Sequence, residues 1–347
     1  MHIPDGYLSP QTDGVLGVAS AVTAALAASK TAGTIRAKYI PMLAVGSAFS
    51  FIIMMLNVPI PDGTTAHAVG GSLLAVILGP WAAMISVSIA LIIQALFFGD
   101  GGILALGANI FNMAVVLPFV SYAVYLLIAG RSDILAKRRV IGAGIAGYVG
   151  INVAALCAAI EFGLQPVLFH AANGTPLYSP YGLGVAIPAI ALAHLSVAGP
   201  VEGVVTGLVI VYLQRTDPIL LQMRKDSEKS APAASPISYG RYIIALIVIA
   251  LLTPLGLLAS GTAWGEWGGE ELQARLGFVP RGLEKLGDFW NHTLFKDYGV
   301  AGLNHSFWQQ ALGYIISAFF ALLFIGLIGL VFQRFSRKSE EQSHKTT

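Results

Sequence analysis

The chain has 347 residues, of which 56% are hydrophobic and only 11% are charged, against about 25% in soluble domains. Its net charge of +2 is too small to indicate nucleic acid as a partner. The single cysteine, Cys157, excludes a disulfide framework and a thiolate-rich zinc or iron–sulfur site. Several uncharged stretches exceed the roughly 18 apolar residues that mark a membrane span. The composition therefore predicts an integral membrane protein.

The apolar segments predict an all-α membrane protein, a polytopic helical bundle of about nine spans. They cover residues 13–29, 39–56, 66–79, 82–98, 103–129, 140–163, 182–214, 242–259 and 309–332. The third segment is short for a full span, which is compatible with a tilted or re-entrant segment. No internal repeat relates the segments to one another.

Lysine and arginine predict the orientation, because they are enriched in cytoplasmic loops. They cluster after the first span, in the loop RSDILAKRR, in the polar stretch from Arg215 to Arg241, and in the C-terminal tail. With nine spans, all four clusters lie in the cytoplasm only if the N-terminus is outside. The long outer loop at 260–307 also carries basic residues, but long loops escape this rule.

The polar stretch is also rich in Ser, Pro and Lys, which is typical of a linker. It divides the chain into residues 1–215 with seven spans, a cytoplasmic linker at 216–240, and residues 241–347. The last part has two spans joined by a large outer loop, and we call it the accessory part.

The chain begins Met1-His2, and this pair presents three nitrogen atoms to one metal ion. The α-amine, the His2 amide and the His2 imidazole close a five-membered and then a six-membered chelate ring. A fourth nitrogen completes a square, the geometry that Ni(II) and Cu(II) prefer. The opening MHIPDGYLSP has neither a basic start nor an apolar core. We therefore expect no signal peptide and an N-terminus that is kept, with bulky His2 protecting Met1 from removal.

His67 is the best candidate for the fourth ligand, because it lies where an outer loop meets the third segment. Its neighbours are small, which lets another backbone approach closely. The alternative is that His67 is a hydrogen-bonded structural residue and that His2 has no role.

Other polar residues in apolar surroundings also require an explanation, because burying them is costly. We expect these residues to form either a second shell around His67 and the N-terminal strand or hydrogen bonds between helices. They are Gln94, Asp100, Asn109 and Asn112. His194 and Glu202 in the seventh span are compatible with a proton or metal relay, although hydrogen bonding in a kinked helix is favoured.

These segments resemble the substrate-binding membrane subunits (S-components, CbiM/NikM family) of cobalt and nickel energy-coupling-factor ABC transporters. The resemblance covers about the first 215 residues, through MHIPDGYLSP, PDGTTAHAVGG, LGPWAA, QALFFGDGGILALGANIFNM and HLSVAGPVEG. The accessory part resembles the small subunit that accompanies this family (CbiN- or NikN-like). Its PRGLE at 280–284 stands where the family pattern is PDGLE, so Arg281 replaces an acidic residue.

The resemblance implies an outer metal site built from the Met1 amine, the His2 amide and imidazole, and the His67 imidazole. It implies Ni(II) or Co(II) as a transported substrate, not a cofactor, with the four nitrogens slightly favouring nickel. The partners that it implies are a transmembrane coupling subunit and two cytoplasmic ATPase subunits, in the lipid of a prokaryotic inner membrane.

The chain itself has no GxxxxGK[ST] stretch for ATP hydrolysis and no HExxH pair for an intramembrane protease, so we expect no enzyme. The alternative function is a standalone secondary metal transporter or channel. Its spans are poor in acidic groups, however, and they show no repeat.

Overall fold

The computed structural model describes residues 2–32, 40–60, 64–130, 132–221, 239–259 and 261–346. Met1, most of the predicted linker and some basic residues used for the orientation lie outside this set. The described part contains seven helical stretches that are long and apolar enough to cross a membrane. They are Pro10–Thr31, Pro80–Phe98, Leu106–Ala129, Lys137–Leu168, Leu183–Thr216, Gly240–Leu258 and Phe307–Ser336. The predicted polytopic helical membrane protein is confirmed.

Nine α-helices form the described part of the chain up to residue 221. They are α1 (Pro10–Ala32), α2 (Ile40–Met54), α3 (Gly71–Leu78), α4 (Pro80–Ile93), α5 (Leu106–Asn109), α6 (Leu117–Ala129), α7 (Lys137–Leu168), α8 (Leu183–Ala193) and α9 (Gly199–Thr216). π-Helical turns continue α4 through Gln94–Phe98, join α5 to α6 through Ile110–Val116, and join α8 to α9 through His194–Ala198.

Two of the predicted apolar segments form helices shorter than a usual span. Helix α2 has 15 residues and α3 has only 8. At 1.5 Å per residue, α3 is about 12 Å long, well short of the roughly 30 Å hydrocarbon layer. A hairpin of β1 (Val58–Ile60) and β2 (Thr64–Ala66) precedes α3, with Val58 paired to Ala66. The third segment is therefore partly extended and partly helical.

Small residues on α7 let its neighbours approach closely. A Cβ at Gly150 would overlap Oγ of Ser121 on α6, and a Cβ at Gly147 would lie 2.9 Å from the carbonyl oxygen of Glu202 on α9. Glycine and alanine at helical spacing are the usual means of close helix packing in membranes. Helix α7 therefore fixes where α9 lies, and with it Glu202.

The accessory part contains α10 (Gly240–Leu252), α11 (Gly269–Leu276), α12 (Arg281–Leu286) and α13 (Phe307–Thr346), with 3₁₀ turns at Thr253–Leu258 and Lys296–Tyr298. It packs against α2. A Cβ at Gly329 of α13 would lie 2.7 Å from that of Ala44, and one at Gly256 would overlap the carbonyl oxygen of Met55. Because these approaches are so close, the accessory part is in direct contact with the helices that precede the linker.

Residues 2–9, which we call the N-terminal segment, have no regular structure but are buried. Ile3 and Leu8 are fully buried, and Tyr7 is nearly so. They belong to a hydrophobic cluster with Trp267, Leu272 and other residues of α7, α8 and the accessory part. A terminus of this kind usually frays unless other contacts hold it.

Candidate metal site

The N-terminal segment is held by hydrogen bonds to its backbone. The Asn109 side chain accepts from the N–H of Ile3 at 2.8 Å and donates to the Ile3 carbonyl at 3.0 Å. The N–H of Gly102 donates to the same carbonyl at 2.9 Å. Asp5 Oδ1 accepts from the N–H of Leu104 at 2.8 Å, just before α5. These bonds fix the direction of the backbone on both sides of Ile3.

The loop FFGDGG needs its glycines because the N-terminal segment lies directly against it. A Cβ at Gly102 would overlap Oδ1 of Asp5, and a Cβ at Gly101 would lie 3.2 Å from Cδ2 of His2. Gly101 also has a φ of +73°, which disfavours side chains. The loop is therefore shaped to admit another backbone.

His2 and His67, the two predicted imidazole ligands, lie side by side. Their ring centroids are 5.0 Å apart with an interplanar angle of 34°. Both side chains are buried, at 3% and 7% exposure. Nε2 of each ring has no hydrogen-bond partner among the described residues, which is rare for a buried polar atom. Two buried imidazoles with free nitrogens at this separation can share one metal ion.

The backbone around His67 determines which of its nitrogens is free. Nδ1 lies 3.1 Å from the carbonyl oxygen of Ala68, a contact that places the ring proton on Nδ1. The lone pair on Nε2 is then available to a metal ion. Such a contact commonly orients a histidine ligand.

Glu202 anchors the turn that follows His67. Its Oε2 accepts from the N–H groups of Val69 at 2.8 Å and Gly70 at 2.9 Å, and its Oε1 accepts from Ser72 at 3.1 Å. The favoured hydrogen-bonding role of this glutamate agrees with these contacts. The sequence did not indicate that the bonds would lie directly after a candidate ligand.

Two of the residues considered for the second shell adjoin His2. Asp100 Oδ1 lies 3.3 Å from Nδ1 of His2, and the Gln94 side chain lies beside the imidazole. Asn109 does not contact His2 in this way but bonds to the backbone of the next residue, Ile3. Asn112 instead donates to Glu161 at 2.7 Å.

The sequence interpretation did not single out Tyr298 of the accessory part, whose hydroxyl donates to Asp100 Oδ2. For His194 it favoured hydrogen bonding in a kinked helix over a relay, and Nδ1 of His194 lies 2.8 Å from the Ile190 carbonyl oxygen. The structure places His194 beside His2 in the wall of a cavity of about 20 Å³. Nε2 of His194 has no partner among the described residues. Neither placement has a local sequence signal, because both depend on how distant segments pack.

Burial lowers the pKa of His2 to about 4 and lowers the pKa of His67 well below its ordinary value. Both imidazoles are therefore neutral near pH 7, as metal coordination requires. Across the described ranges, no three side chains from His, Cys, Asp and Glu converge as a metal cluster. A metal held by the two imidazoles must therefore take its other ligands from elsewhere. The amine of Met1, the remaining predicted ligand, lies outside the described residues.

Comparison with known proteins identifies the family. Residues 2–220 match the family described as "Cobalt uptake substrate-specific transmembrane region", CbiM. The chain belongs to the CbiM family. Residues 240–337 match the PDGLE domain, despite Arg281 in the motif that gives this domain its name. The predicted family and the fused accessory domain are both confirmed.

Relatives of this CbiM-family chain extend over both parts. The fused nickel transport protein NikMN of Rhodobacter capsulatus is 47% identical over 95% of this chain and 96% of its own length. The probable fused nickel transport protein LarMN of Lactiplantibacillus plantarum is 48% identical, over 94% and 96%. A crystal structure of a transition metal transporter is 59% identical with a TM-score of 0.60, covering 65% of this chain and all of that one. The chain is a multi-pass integral protein of a prokaryotic cell membrane.

Proposed function

We propose that the chain captures Ni(II) or Co(II) at an outer site and delivers the ion across the membrane. It does so as the substrate-specific subunit of an ATP-driven importer of the energy-coupling-factor type. The observation that carries this proposal is the buried, adjacent pair of His2 and His67, in which Nε2 of His67 has no hydrogen-bond partner among the described residues. The relatives from R. capsulatus and L. plantarum, which are named as nickel transport proteins, favour nickel slightly.

The proposed ligands are the Met1 amine, the His2 amide and imidazole, and the His67 imidazole. Because the His2 amide and imidazole share one six-membered chelate ring, the imidazole must bind through Nδ1. That atom lies 3.3 Å from Asp100 Oδ1, so binding exchanges this contact for the ion. The His67 ligand is Nε2, the atom left free by the Ala68 contact. Four nitrogens in a plane suit Ni(II).

The proposed orientation places the N-terminus outside, where scarce metal arrives. The proposed division follows the predicted boundaries: 1–215 binds the metal, 216–240 is a cytoplasmic linker and 241–347 is the accessory domain. The two family matches, 2–220 and 240–337, support this division.

The proposed partners are a transmembrane coupling subunit and two cytoplasmic ATPase subunits, which supply the energy that this chain cannot. Helix α1 offers a contact surface for the coupling subunit. Its small residues Ala21, Ala24, Ala25 and Ala28 are all exposed, so packing within the described part of the chain does not account for them.

Uptake of radioactive nickel by cells or vesicles, with and without the ATPase subunits, tests this proposal. We expect accumulation only when the ATPase subunits and ATP are present. Accumulation by this chain alone would favour the standalone transporter or channel. The metal content of the purified chain, exposed to equal nickel and cobalt with its N-terminus intact, tests which ion it prefers.

A further inference from the structure

One hydroxyl of the accessory part reaches the surroundings of His2. Tyr298 is buried, at 5% exposure. Its hydroxyl donates to Asp100 Oδ2 and accepts from Nε2 of Gln94 at 2.9 Å. Asp100 in turn lies 3.3 Å from Nδ1 of His2 through its other oxygen. Tyr298 therefore joins Gln94 and Asp100, about 200 positions earlier in the chain, in one hydrogen-bonded network beside a proposed ligand.

We propose that Tyr298 is a positioning residue for His2, so that the metal site reaches full affinity only with the accessory part docked. This inference rests on the proposed function. Tyr298 touches no proposed ligand atom: it acts on His2 through Gln94, and Asp100 fixes the direction of its hydroxyl proton. The accessory part is thus one of the structures that hold the metal site in place.

The chemistry of the hydroxyl gives this network a direction. A tyrosine O–H has one proton to donate, and a carboxylate only accepts. With the proton directed to Asp100, the hydroxyl oxygen accepts from the Gln94 amide nitrogen. The Gln94 oxygen then faces away from Tyr298, and it has no hydrogen-bond partner among the described residues. Tyr298 therefore determines which way the Gln94 amide points.

The orientation of Gln94 matters because metal binding uses Nδ1 of His2. The imidazole must then carry its proton on Nε2, and a buried N–H needs an acceptor. Nε2 of His2 and Oε1 of Gln94 are both buried and unpartnered within the described ranges, and the two side chains are neighbours. Gln94 is thus the acceptor that supports the metal-binding tautomer, and Tyr298 holds it in place.

The backbone at Tyr298 supports a specific role for this residue. Asp297 and Tyr298 have φ values of 51° and 63°, in the left-handed region that residues other than glycine seldom adopt. The turn is held by Ser317 Oγ, which donates to the Tyr298 carbonyl at 2.8 Å, and by stacking of the tyrosine ring on Phe98. Strained conformations of this kind persist where the surroundings fix them, and they cluster at functional sites.

The test is a titration of Ni(II) into the purified full chain with its native N-terminus, comparing the wild type with Tyr298→Phe. Phenylalanine keeps the ring stacking and removes only the hydroxyl. We expect affinity to fall at least tenfold, the usual loss when a partner behind a metal ligand is removed. The visible absorption band of bound Ni(II) should also shift, because the orientation of His2 changes the ligand field.

Tyr314→Phe is the matched control, since Tyr314 packs against the Tyr298 ring in the same aromatic cluster. We expect it to change neither the affinity nor the absorption band. The melting temperature of each metal-free variant separates lost support of His2 from lost folding.

A double-mutant cycle with Asp100→Asn tests whether Tyr298 acts through the network. If it does, Tyr298→Phe should cost much less affinity in the Asp100→Asn background than in the wild type. Unchanged affinity in Tyr298→Phe, or strictly additive losses in the cycle, would overturn the inference. Binding of neither nickel nor cobalt by the wild type would instead overturn the proposed function.

Discussion

Two irregular regions meet at the proposed metal site, and they differ in how they are held. The N-terminal segment is buried almost throughout, and its backbone bonds to loops that precede α5 and α8. The loop of the accessory part between α10 and α13 is largely exposed, including Phe289, Trp290 and Leu294. Its buried residues, such as Trp267 and Tyr298, nevertheless contact the rest of the molecule, including Tyr7, Gly6 and Asp100.

This difference indicates that the two regions have different tasks at the proposed site. The N-terminal segment carries proposed ligand atoms, which must be placed within tenths of an ångström to share an ion, and its backbone is fixed on both sides. The accessory loop carries contacts that orient and cover the segment, and buried anchors such as Tyr298 suffice for that. Changes to the segment should therefore cost far more metal affinity than changes to the loop that covers it.

An extension of the N-terminus should have the largest effect. Two serines before Met1 move the amine away from His2 and remove the five-membered chelate ring. Four-ligand sites are worth about 10–16 kcal/mol, or about 3 kcal/mol per ligand. Loss of the amine and the adjoining amide should cost roughly 6 kcal/mol, about a 10⁴-fold weaker affinity by titration calorimetry.

The control for this extension is the same two serines added after Thr347, far along the chain from the proposed ligands. It should leave nickel binding unchanged. Equal affinity of the two extended chains would show that the amine is not a ligand.

Replacing one imidazole ligand should have the next largest effect. His67→Ala removes one of four ligands and should weaken nickel binding by about 3 kcal/mol, roughly 150-fold. His305→Ala is the matched control, because His305 is exposed in the accessory loop. Comparable losses in the two variants would contradict the assignment of His67.

Nickel affinity should depend on pH because the amine and the amide lose protons on binding, and not because the imidazoles do. Burial lowers the pKa of His2 to about 4 and that of His67 well below its ordinary value, so both rings are already neutral before nickel binds between pH 6 and pH 7. The amine, with an ordinary pKa of about 7.7, and the amide each release one proton on binding. Nickel affinity should fall about 100-fold between pH 7 and pH 6.

Competition titrations with a chelator of known affinity measure this dependence. The slope should stay near two protons per metal ion down to about pH 5. A slope that steepens toward four below pH 6.5 would mean that both imidazoles titrate normally and are not buried before the metal binds.

The sequence predicted the helical segments well, because long apolar runs have few alternatives in a membrane. It predicted the third segment least well, since the run 66–79 is apolar throughout but only Gly71–Leu78 is helical. The strand and turn before α3 depend on the β1 hairpin and on Glu202, more than 130 positions later. Periodicity in a local window contains no information about such a partner.

The candidate ligands could be named from the sequence because chelation by adjacent atoms is a local property. Met1 and His2 are neighbours in the chain, and the chelate ring size follows directly from bond counting. The supporting residues are different. Asn109 and Asn112 are one helical turn apart and look equivalent in the sequence, yet only Asn109 meets the N-terminal segment. Tyr298 resembles any other tyrosine of an outer loop until the accessory part is folded against α4.

Adding one methyl group where the two regions touch should have the smallest of these effects on nickel affinity. Gly6 has a φ of +83°, and a Cβ there would lie 2.7 Å from Cα of Leu283 in the PRGLE motif. Gly6→Ala should displace the segment or the loop and cost about 1–2 kcal/mol, roughly a tenfold loss of nickel affinity. Gly14→Ala, with no atom within 4 Å of the added carbon, should cost nothing. A loss as large as that of His67→Ala would mean that the accessory loop holds the ligands as firmly as their own backbone does.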